Sequence, residues 1–224
     1  MATPLLHLPY FEGEAWWCSQ GNNETCSECT HRPGSTIRYA WDFNWGNGND
    51  DFGRAVAAPA GGEITVARWE SSGWGNCVEI KYGEDSYGWL AHLEKIFVRK
   101  GEHVKASQII GLCGNSGTSS AHIHYHTSES SRGSSVPSSF IRWGNPPGGN
   151  SSTTYPSQNS QLFNEAYNRN GGHGRMGPAI DGIHWYYDFN RQGQDCYIQR
   201  YDRGSFGPCA IVYDALGGAH SAYV

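Results

Sequence analysis

The stretch SSAHIHYHTSES, residues 119–130, has histidines at alternate positions: His122, His124 and His126. Side chains on a β-strand alternate between the two faces of a sheet, so a strand here puts all three imidazoles on one face. Histidines are common on half-exposed strand faces, which is the simplest interpretation. Two adjacent imidazoles also provide a metal ligand and a proton acceptor at one place, which is the functional interpretation.

The composition of the 224-residue chain favours an all-β protein with many turns. Charged residues make up only 17%, whereas there are 30 glycines, 9 tryptophans and 13 tyrosines. Aromatic residues are typical of strands and glycine of turns. The formal net charge of -5 argues against a nucleic-acid-binding protein, because such proteins present a basic face. The sequence contains no apolar run long enough to predict a membrane span. The segment MATPLLHLPYF at the start lacks the pattern of a signal peptide.

Short strand-like segments separated by glycine precede the histidine stretch. AVAAPAGGEITVARW (55–69) is typical of a strand, a turn and a second strand, and GNCVEIKYG (75–83) of an alternating strand. GWLAHLEKIFV (88–98) and GEHVKASQIIGLCGNSG (101–117) continue the pattern, and long helical periodicity is absent. This spacing predicts an antiparallel β-sheet or sandwich.

The composition changes after Glu129, where Ser, Gly, Pro and Asn dominate up to about residue 160. Such a stretch is typical of long loops or a linker, which we place at 146–160. Further on, QLFNEAYNRNGG (161–172) predicts a short helix and CYIQRYDRGSFGPCAIVYD (196–214) a hairpin. We therefore predict a mainly β protein, with an antiparallel sheet or sandwich domain at 1–145 and a small α+β module at 161–224.

The seven cysteines indicate an oxidising compartment. Their odd number leaves at least one thiol free or bonded to another chain. Cys77 and Cys113 lie in separate strand-like segments, and we predict a disulfide between them. Cys196 and Cys209 would form a local disulfide, whereas the sequence leaves the pairing of the three N-terminal cysteines open.

Six segments in chain order resemble the lysostaphin/LytM-type zinc endopeptidases of peptidoglycan. They are YAWDF (39–43), VAAPAGGEI (56–64), GNCVEIKYG (75–83), WLAHL (89–93), VRKGEHVKASQIIGLCGNSG (98–117) and AHIHYH (121–126). Each segment is weak evidence alone, but the shared order is specific. The resemblance implies a β-sheet catalytic domain, a Zn²⁺ ion, and hydrolysis of peptide bonds in the stems or crosslinks of bacterial peptidoglycan or in glycine-containing peptides.

Residue by residue, the resemblance implies that Asp42 and His124 bind the metal. It implies that His92 and His122 are catalytic without being ligands. Taken by themselves, Asp42 could cap a turn and His92 could be a core histidine. His126 has no counterpart in the family's catalytic set, so we expect it to be a solvated strand histidine.

The third ligand departs from the family's commonest pattern, in which a histidine stands four residues before the aspartate. That position is Arg38, whose guanidinium stays protonated and cannot bind a metal. Some members have Ser-His or Thr-His before a longer loop that ends in Tyr-Ala-x-Asp-Phe, similar to Thr30-His31 and Tyr39-Ala40 here. We therefore expect His31 to be the third ligand, the alternative being a surface histidine on a loop.

Two further expectations follow from resemblance alone. Relatives with incomplete ligand sets act as wall-binding scaffolds or hydrolase activators, and this alternative holds if His31 is not a ligand. The segment FNEAYNRNGGHGRMGPAIDGIHW (163–185) weakly resembles Leu-Gly-Phe-Pro cell-wall repeats, which implies a module that binds a surface or a glycan. The alternative for this module is a structural extension.

A secreted or cell-wall-associated protein is expected.

Overall fold

The computed structural model describes most of the first two thirds of the chain and four strands near its C-terminus: residues 4–11, 14–141, 144–149, 151–154, 184–186, 196–202, 208–214 and 220–223. Chain contacts divide the protein into two compact units, residues 1–10 with 15–153, and residues 11–14 with 154–224. All regular secondary-structure elements within the described residues are β-strands, so the predicted mainly β fold is confirmed. None of these residues forms a helix of the length and hydropathy that crossing a bilayer requires.

The described residues up to 154 form eleven strands: β1 (Ala15–Gln20), β2 (Trp41–Asn44), β3 (Ala55–Ala57), β4 (Gly62–Glu70), β5 (Gly75–Gly83), β6 (Ser86–Leu93), β7 (Lys95–Ile96), β8 (His103–Val104), β9 (Ile109–Leu112), β10 (Ile123–Ser128) and β11 (Ser151–Thr154). Eight of them make one sheet in the order β11-β1-β2-β10-β6-β5-β4-β8. Neighbours from β1 to β8 in this order run antiparallel. Strands β3, β9 and β7 form a small second sheet.

The side chains of strand β10 alternate between an aromatic face of the large sheet and a face that carries the histidines. It pairs with β2 so that His124 lies opposite Asp42 and Tyr125 lies opposite Trp41. Trp41 and Tyr125 stack with ring centroids 6.2 Å apart, and Phe140 packs against both rings. A slip of one residue would move these rings to the face of His124 and place the imidazoles in the aromatic core, so the aromatic core sets the register. The imidazoles at even positions are thereby held on the opposite face.

The second unit contains a four-stranded antiparallel sheet: β12 (His184–Tyr186), β13 (Cys196–Asp202), β14 (Pro208–Asp214) and β15 (His220–Tyr223). Strands β13 and β14 pair along their full length, so the predicted hairpin in residues 196–214 is confirmed. The predicted helix at 161–172 lies outside the described residues, and so do the side chains that would bind a surface or a glycan.

The predicted disulfide between Cys77 and Cys113 is wrong, because both thiols are free and buried. Cys77 lies in an apolar cluster with Val66, Trp89 and Ala91 on the large sheet. Cys113 directly follows β9 of the small sheet. Each thiol therefore replaces a small apolar side chain in its own layer, a common role for buried free cysteine.

The disulfide in the described part of the chain joins Cys26 and Cys29, while Cys18 is free and buried. This disulfide closes a short turn in the loop between β1 and β2. The predicted bond between Cys196 and Cys209 involves side chains outside the described residues. The backbone register pairs Cys196 with Asp214 and Cys209 with Tyr201, so it does not set the two cysteines opposite each other.

Candidate metal centre

His31, Asp42 and His124 bring three potential ligand atoms together on the polar face of the large sheet. These atoms lie within 4.8 Å of one another, and all three side chains are buried. Oδ1 of Asp42 is 2.9 Å from Nδ1 of His124 and 3.5 Å from Nε2 of His31. The three residues come from strand β2, strand β10 and the loop between β1 and β2.

His31 reaches the cluster because its loop is tied to the end of β1. Gln20 Oε1 accepts hydrogen bonds from the backbone N–H and the hydroxyl of Thr30, at 2.8 and 3.1 Å. The amide nitrogen of the same Gln20 donates to Oδ2 of Asp42 at 3.1 Å. One glutamine side chain therefore connects the Thr30-His31 turn to the aspartate. No sequence signal marks this role of Gln20.

Arg38, which stands at the usual ligand position, takes no part in the cluster. Its Nε donates to Oδ1 of Asn23 at 2.7 Å, and the backbone N–H of Asn23 donates to the Arg38 carbonyl at 2.8 Å. Arg38 therefore closes the base of the loop that carries His31.

Burial controls the charge of His31. It lowers the pKa of this fully buried imidazole to about 4, although the nearby Asp42 carboxylate opposes the shift. Nε2 of His31 has no hydrogen-bond partner among the described residues. A buried polar atom without a partner is costly, and a neutral imidazole nitrogen is a good metal ligand. This observation fits a cation between His31 and Asp42.

Asp42 keeps its charge despite burial. Burial alone raises the pKa of this carboxyl, but the hydrogen bond from His124 and the nearby His122 and His31 outweigh it and hold the pKa below its usual value. Two imidazoles and one carboxylate match the ligand set of catalytic zinc sites, which leave a further position for water. The residues present therefore fit a zinc ion.

His92 and His122 lie beside the three potential ligands, with their ring centroids 4.6 Å apart. Nδ1 of His92 is 3.1 Å from the Ser116 carbonyl, and Nδ1 of His122 is 3.0 Å from the Ser120 carbonyl. A carbonyl only accepts, so both rings carry the proton on Nδ1 and leave Nε2 as an acceptor. Burial, together with the nearby His122 and His124, lowers the pKa of His92 to about 3.

The backbone of His92 is held in a conformation that histidine rarely adopts. Its φ is 63°, in the left-handed region. Its N–H donates to the Trp74 carbonyl at 3.1 Å, and its carbonyl accepts from the N–H of Ser116 at 3.3 Å. Such strain is typical of functional sites and persists only where neighbours enforce it.

The prediction that His126 is a solvated strand histidine is wrong. Its side chain is buried, and its Nδ1 lies 3.0 Å from Nε2 of His124. Burial, with His124 and His31 nearby, lowers the pKa of His126 well below its ordinary value. The period of two already placed His126 on the face of His124, and this signal indicated that the two rings were neighbours.

The candidate centre opens into a cavity of about 290 Å³. Asp42, His92, His122 and His124 line it, whereas the fully buried His31 lies outside its lining. Trp74 forms another part of the wall, with its ring centroid 5.2 Å from that of His124. The structure therefore brings together all five residues that the resemblance implied.

Fold and site together define a β-sheet protein with a buried histidine and aspartate cluster. The profile of Peptidase family M23 matches residues 41–136, a range that includes four of the five site residues but not His31. Lipoprotein NlpD of Yersinia enterocolitica is 36% identical over 73 residues, which are 33% of this chain and 75% of that protein. The chain belongs to peptidase family M23, and the resemblance to its lysostaphin/LytM-type members is confirmed.

Two longer relatives carry different names. Murein hydrolase activator NlpD of Escherichia coli is 37% identical over 73 residues, 33% of this chain and 19% of that protein. Lysostaphin of Staphylococcus staphylolyticus is 36% identical over 91 residues, 40% of this chain and 18% of that protein. The chain thus spans about a fifth of the length of these two relatives.

Among solved structures, the M23 metalloprotease pseudoalterin from the deep sea has a similar fold. The TM-score is 0.50 at 21% identity, over 70% of this chain and 88% of that one. This likeness supports the antiparallel β architecture.

Proposed function

We propose that this protein is a zinc-dependent endopeptidase that hydrolyses peptide bonds in the stems or crosslinks of bacterial peptidoglycan. One observation carries the proposal: three buried potential ligands lie together, and two of them, Asp42 and His124, line a cavity with the imidazoles of His92 and His122. Membership of peptidase family M23 and the likeness to lysostaphin support the same activity.

In this proposal, His31, Asp42 and His124 hold the metal. When bound, zinc polarises the scissile carbonyl and lowers the pKa of its water. Nδ1 of His124 and Nε2 of His31 are the ligand atoms, because these nitrogens lie nearest to Oδ1 of Asp42. Gln20 holds the other carboxylate oxygen of Asp42, which orients the carboxylate for binding.

His92 and His122 handle the protons. Backbone carbonyls accept hydrogen bonds from the Nδ1–H groups of the two rings. Each Nε2 is therefore free to accept a proton from the attacking water and to return it to the leaving amine. The lowered pKa of His92 keeps its ring neutral near pH 7, so its Nε2 can accept a hydrogen bond from the attacking water.

A second candidate function is a catalytically inactive, LytM-like wall-binding scaffold or hydrolase activator. The name of the Escherichia coli relative and the arginine at position 38 favour it. The presence of His31 within reach of Asp42 favours the peptidase, because it completes a set of three ligands.

The proposed place of action is outside the cytoplasm, in the cell wall or as a secreted protein. The Cys26–Cys29 disulfide supports it, because such bonds persist in oxidising compartments. The proposed partner is peptidoglycan, and the C-terminal module would add glycan binding.

The test uses the purified full chain, its zinc content, and the release of new amino groups from isolated peptidoglycan. We expect one zinc per chain and a rise in free amines, both lost in Asp42→Ala. His103→Ala is the matched control, because His103 is exposed on β8 and remote from the cluster in sequence and sheet order. A chain without zinc that releases no amines, yet stimulates a separate wall hydrolase, would instead establish the activator.

A further inference from the structure

His92 lies on a face of the large sheet that a regular strand would not give it. In β6, Ala91 lies opposite His124 of β10, whereas Leu90 lies opposite Tyr125 on the aromatic face. Side chains alternate along a strand, so a regular continuation of β6 would place His92 on the aromatic face with Leu90. The ring of His92 instead lies on the histidine face, with its centroid 5.8 Å from that of His124.

A β-bulge near the end of β6 causes this reversal. The register of β5 with β6 shifts between Asn76 and Val78, so that Ala91 and His92 together lie opposite one residue, Cys77. Bulges redirect side chains and are frequent next to active sites. The φ of His92, 63°, is left-handed, and this conformation is strained for any residue with a side chain. Neighbouring groups must therefore hold the bulge.

Ser116 contacts the bulge through both its backbone and its side chain. Its carbonyl oxygen is 3.1 Å from Nδ1 of His92, and its N–H donates to the His92 carbonyl at 3.3 Å. Its hydroxyl donates to the Leu93 carbonyl at 2.8 Å and accepts from the N–H of Asn76 at 2.9 Å. Asn76 and Leu93 are the pair that closes the bulge, so the hydroxyl links β5 and β6 at this point.

Glycines allow the backbone of Ser116 to approach β5 this closely. A Cβ atom at Gly75 would overlap Ser116, and a Cβ atom at Gly117 would overlap the backbone of Gly73. Gly75 and Gly117 also have left-handed φ angles, of 65° and 76°. The turn that leads into β5 and the loop between β9 and β10 therefore interlock beside His92.

We propose that Ser116 is a positioning residue, which holds His92 in the bulge and keeps its imidazole directed at the cavity of the candidate metal centre. His92 lines this cavity and Ser116 does not, so Ser116 acts on the chemistry through His92. The proposal rests on the proposed function, in which His92 handles a proton. Loss of the Ser116 hydroxyl should let residue 92 relax towards the regular strand conformation, which turns its side chain away from the centre.

The first test measures the backbone conformation of His92 by NMR in the metal-free, full-length protein. A left-handed residue gives a strong NOE between its own amide and Hα protons, because positive φ brings these two protons together. We expect this NOE in the unsubstituted protein, its weakening in Ser116→Ala, and its recovery in Ser116→Thr, which keeps a hydroxyl. Ser107→Ala is the matched control, because Ser107 is also half-buried and left-handed but lies in the β8–β9 turn, outside the cavity lining.

The second test separates positioning from general stability. Hydrolysis of N-acetyl-pentaglycine-amide is followed in the zinc-loaded protein. We expect Ser116→Ala to lower kcat by about 10- to 10²-fold with KM and zinc content unchanged, because a misplaced catalytic group slows the chemical step more than it weakens binding. In the His92→Ala background the same substitution should have no further effect on kcat, since its action passes through His92. Ser107→Ala should retain full kcat.

The outcomes separate this proposal from the peptidase. A His92 NOE that persists in Ser116→Ala, or equal losses of kcat from Ser116→Ala with and without His92, would overturn the positioning role. Loss of the NOE in a protein that cleaves no peptide retains the role of Ser116 in the bulge and removes the peptidase, whereas cleavage with unaltered NOE and kcat does the reverse. Where Ser116→Ala does not fold, Ser116→Cys replaces it and should show a smaller loss of both signals, because a thiol is a weaker donor and acceptor.

Discussion

Nδ1 of His124 lies 2.9 Å from Oδ1 of Asp42, and the two residues stand opposite each other in the β2–β10 pair. Their separation is therefore set by the strand ladder rather than by a flexible loop. On its other side, the ring of His124 is held by His126. Two of the three proposed ligands are thus positioned by the sheet itself, and the third arrives on the loop between β1 and β2.

His31→Ala should lower zinc affinity sharply while the fold is retained. The substitution removes one of the three proposed ligands, and Arg38, at the family's usual ligand position, cannot replace it because its guanidinium stays protonated. Zinc competition with a fluorescent chelator measures the loss, and circular dichroism checks the fold. Unchanged zinc affinity would show that His31 is only a buried loop histidine.

His92→Ala and His122→Ala should each reduce peptide hydrolysis by about 10²- to 10⁴-fold, the usual contribution of a general acid or base. Both variants should keep one zinc per chain, because neither residue is a proposed ligand. Turnover and elemental analysis of the same preparations test this. Loss of zinc in His122→Ala would mean that the roles of His122 and His124 are reversed.

His126→Leu should weaken zinc binding by about 10- to 100-fold, since partners of metal ligands typically contribute this much. The leucine leaves the Nε2–H of His124 buried without an acceptor. His126→Gln, which can still accept a hydrogen bond, should recover part of the affinity. The comparison of the two variants by zinc competition is decisive, because a purely steric role for His126 predicts equal loss in both.

The metal-free protein should lose stability as the pH falls from about 6.5 to about 4. Burial lowers the pKa of His31 to about 4 and that of His92 to about 3, whereas both titrate near 6.5 in the unfolded chain. Between these pH values the unfolded state binds more protons than the folded state. The free energy of unfolding therefore decreases as the pH is lowered, by up to about 1.4 kcal/mol per pH unit for each group. Urea unfolding in EDTA at several pH values measures the slope.

His92→Gln provides the check on this pH dependence. It removes one of the three buried histidines whose pKa is lowered, so the slope below pH 6.5 should become shallower. An identical slope in the variant would mean that other groups cause the acid sensitivity.

The free thiols should resist alkylation in the folded protein at about pH 8.5, where an exposed cysteine reacts readily. Burial raises the pKa of Cys77 to about 12 and that of Cys18 and Cys113 further. Iodoacetamide labelling and peptide mapping, with and without denaturant, test the three residues. A Cys77–Cys113 linked peptide, or labelling of Cys113 without denaturant, would contradict the structure.

The sequence by itself determined which residues share a face of the sheet. The alternation in residues 119–130 predicted that the histidines lie together, and glycine-bounded segments predicted the strands around them, because periodicity and turn chemistry are local properties. The resemblance to a known family supplied the proposed roles of Asp42, His92, His122 and His124. The strand pattern correctly placed His126 on the face of His124. The expectation that His126 is solvated was wrong because it rested on the lack of a counterpart in the family's catalytic set.

The tertiary structure alone decided what the β1–β2 loop and the buried side chains do. Only the folded chain brings Nε2 of His31 within 3.5 Å of Asp42, through Gln20 and a turn closed by the Cys26–Cys29 disulfide. Likewise, the free thiols and the cavity beside Trp74 depend on which layers pack together. Such contacts join residues far apart in the chain, and no local pattern encodes their distance, because packing of the whole domain sets it.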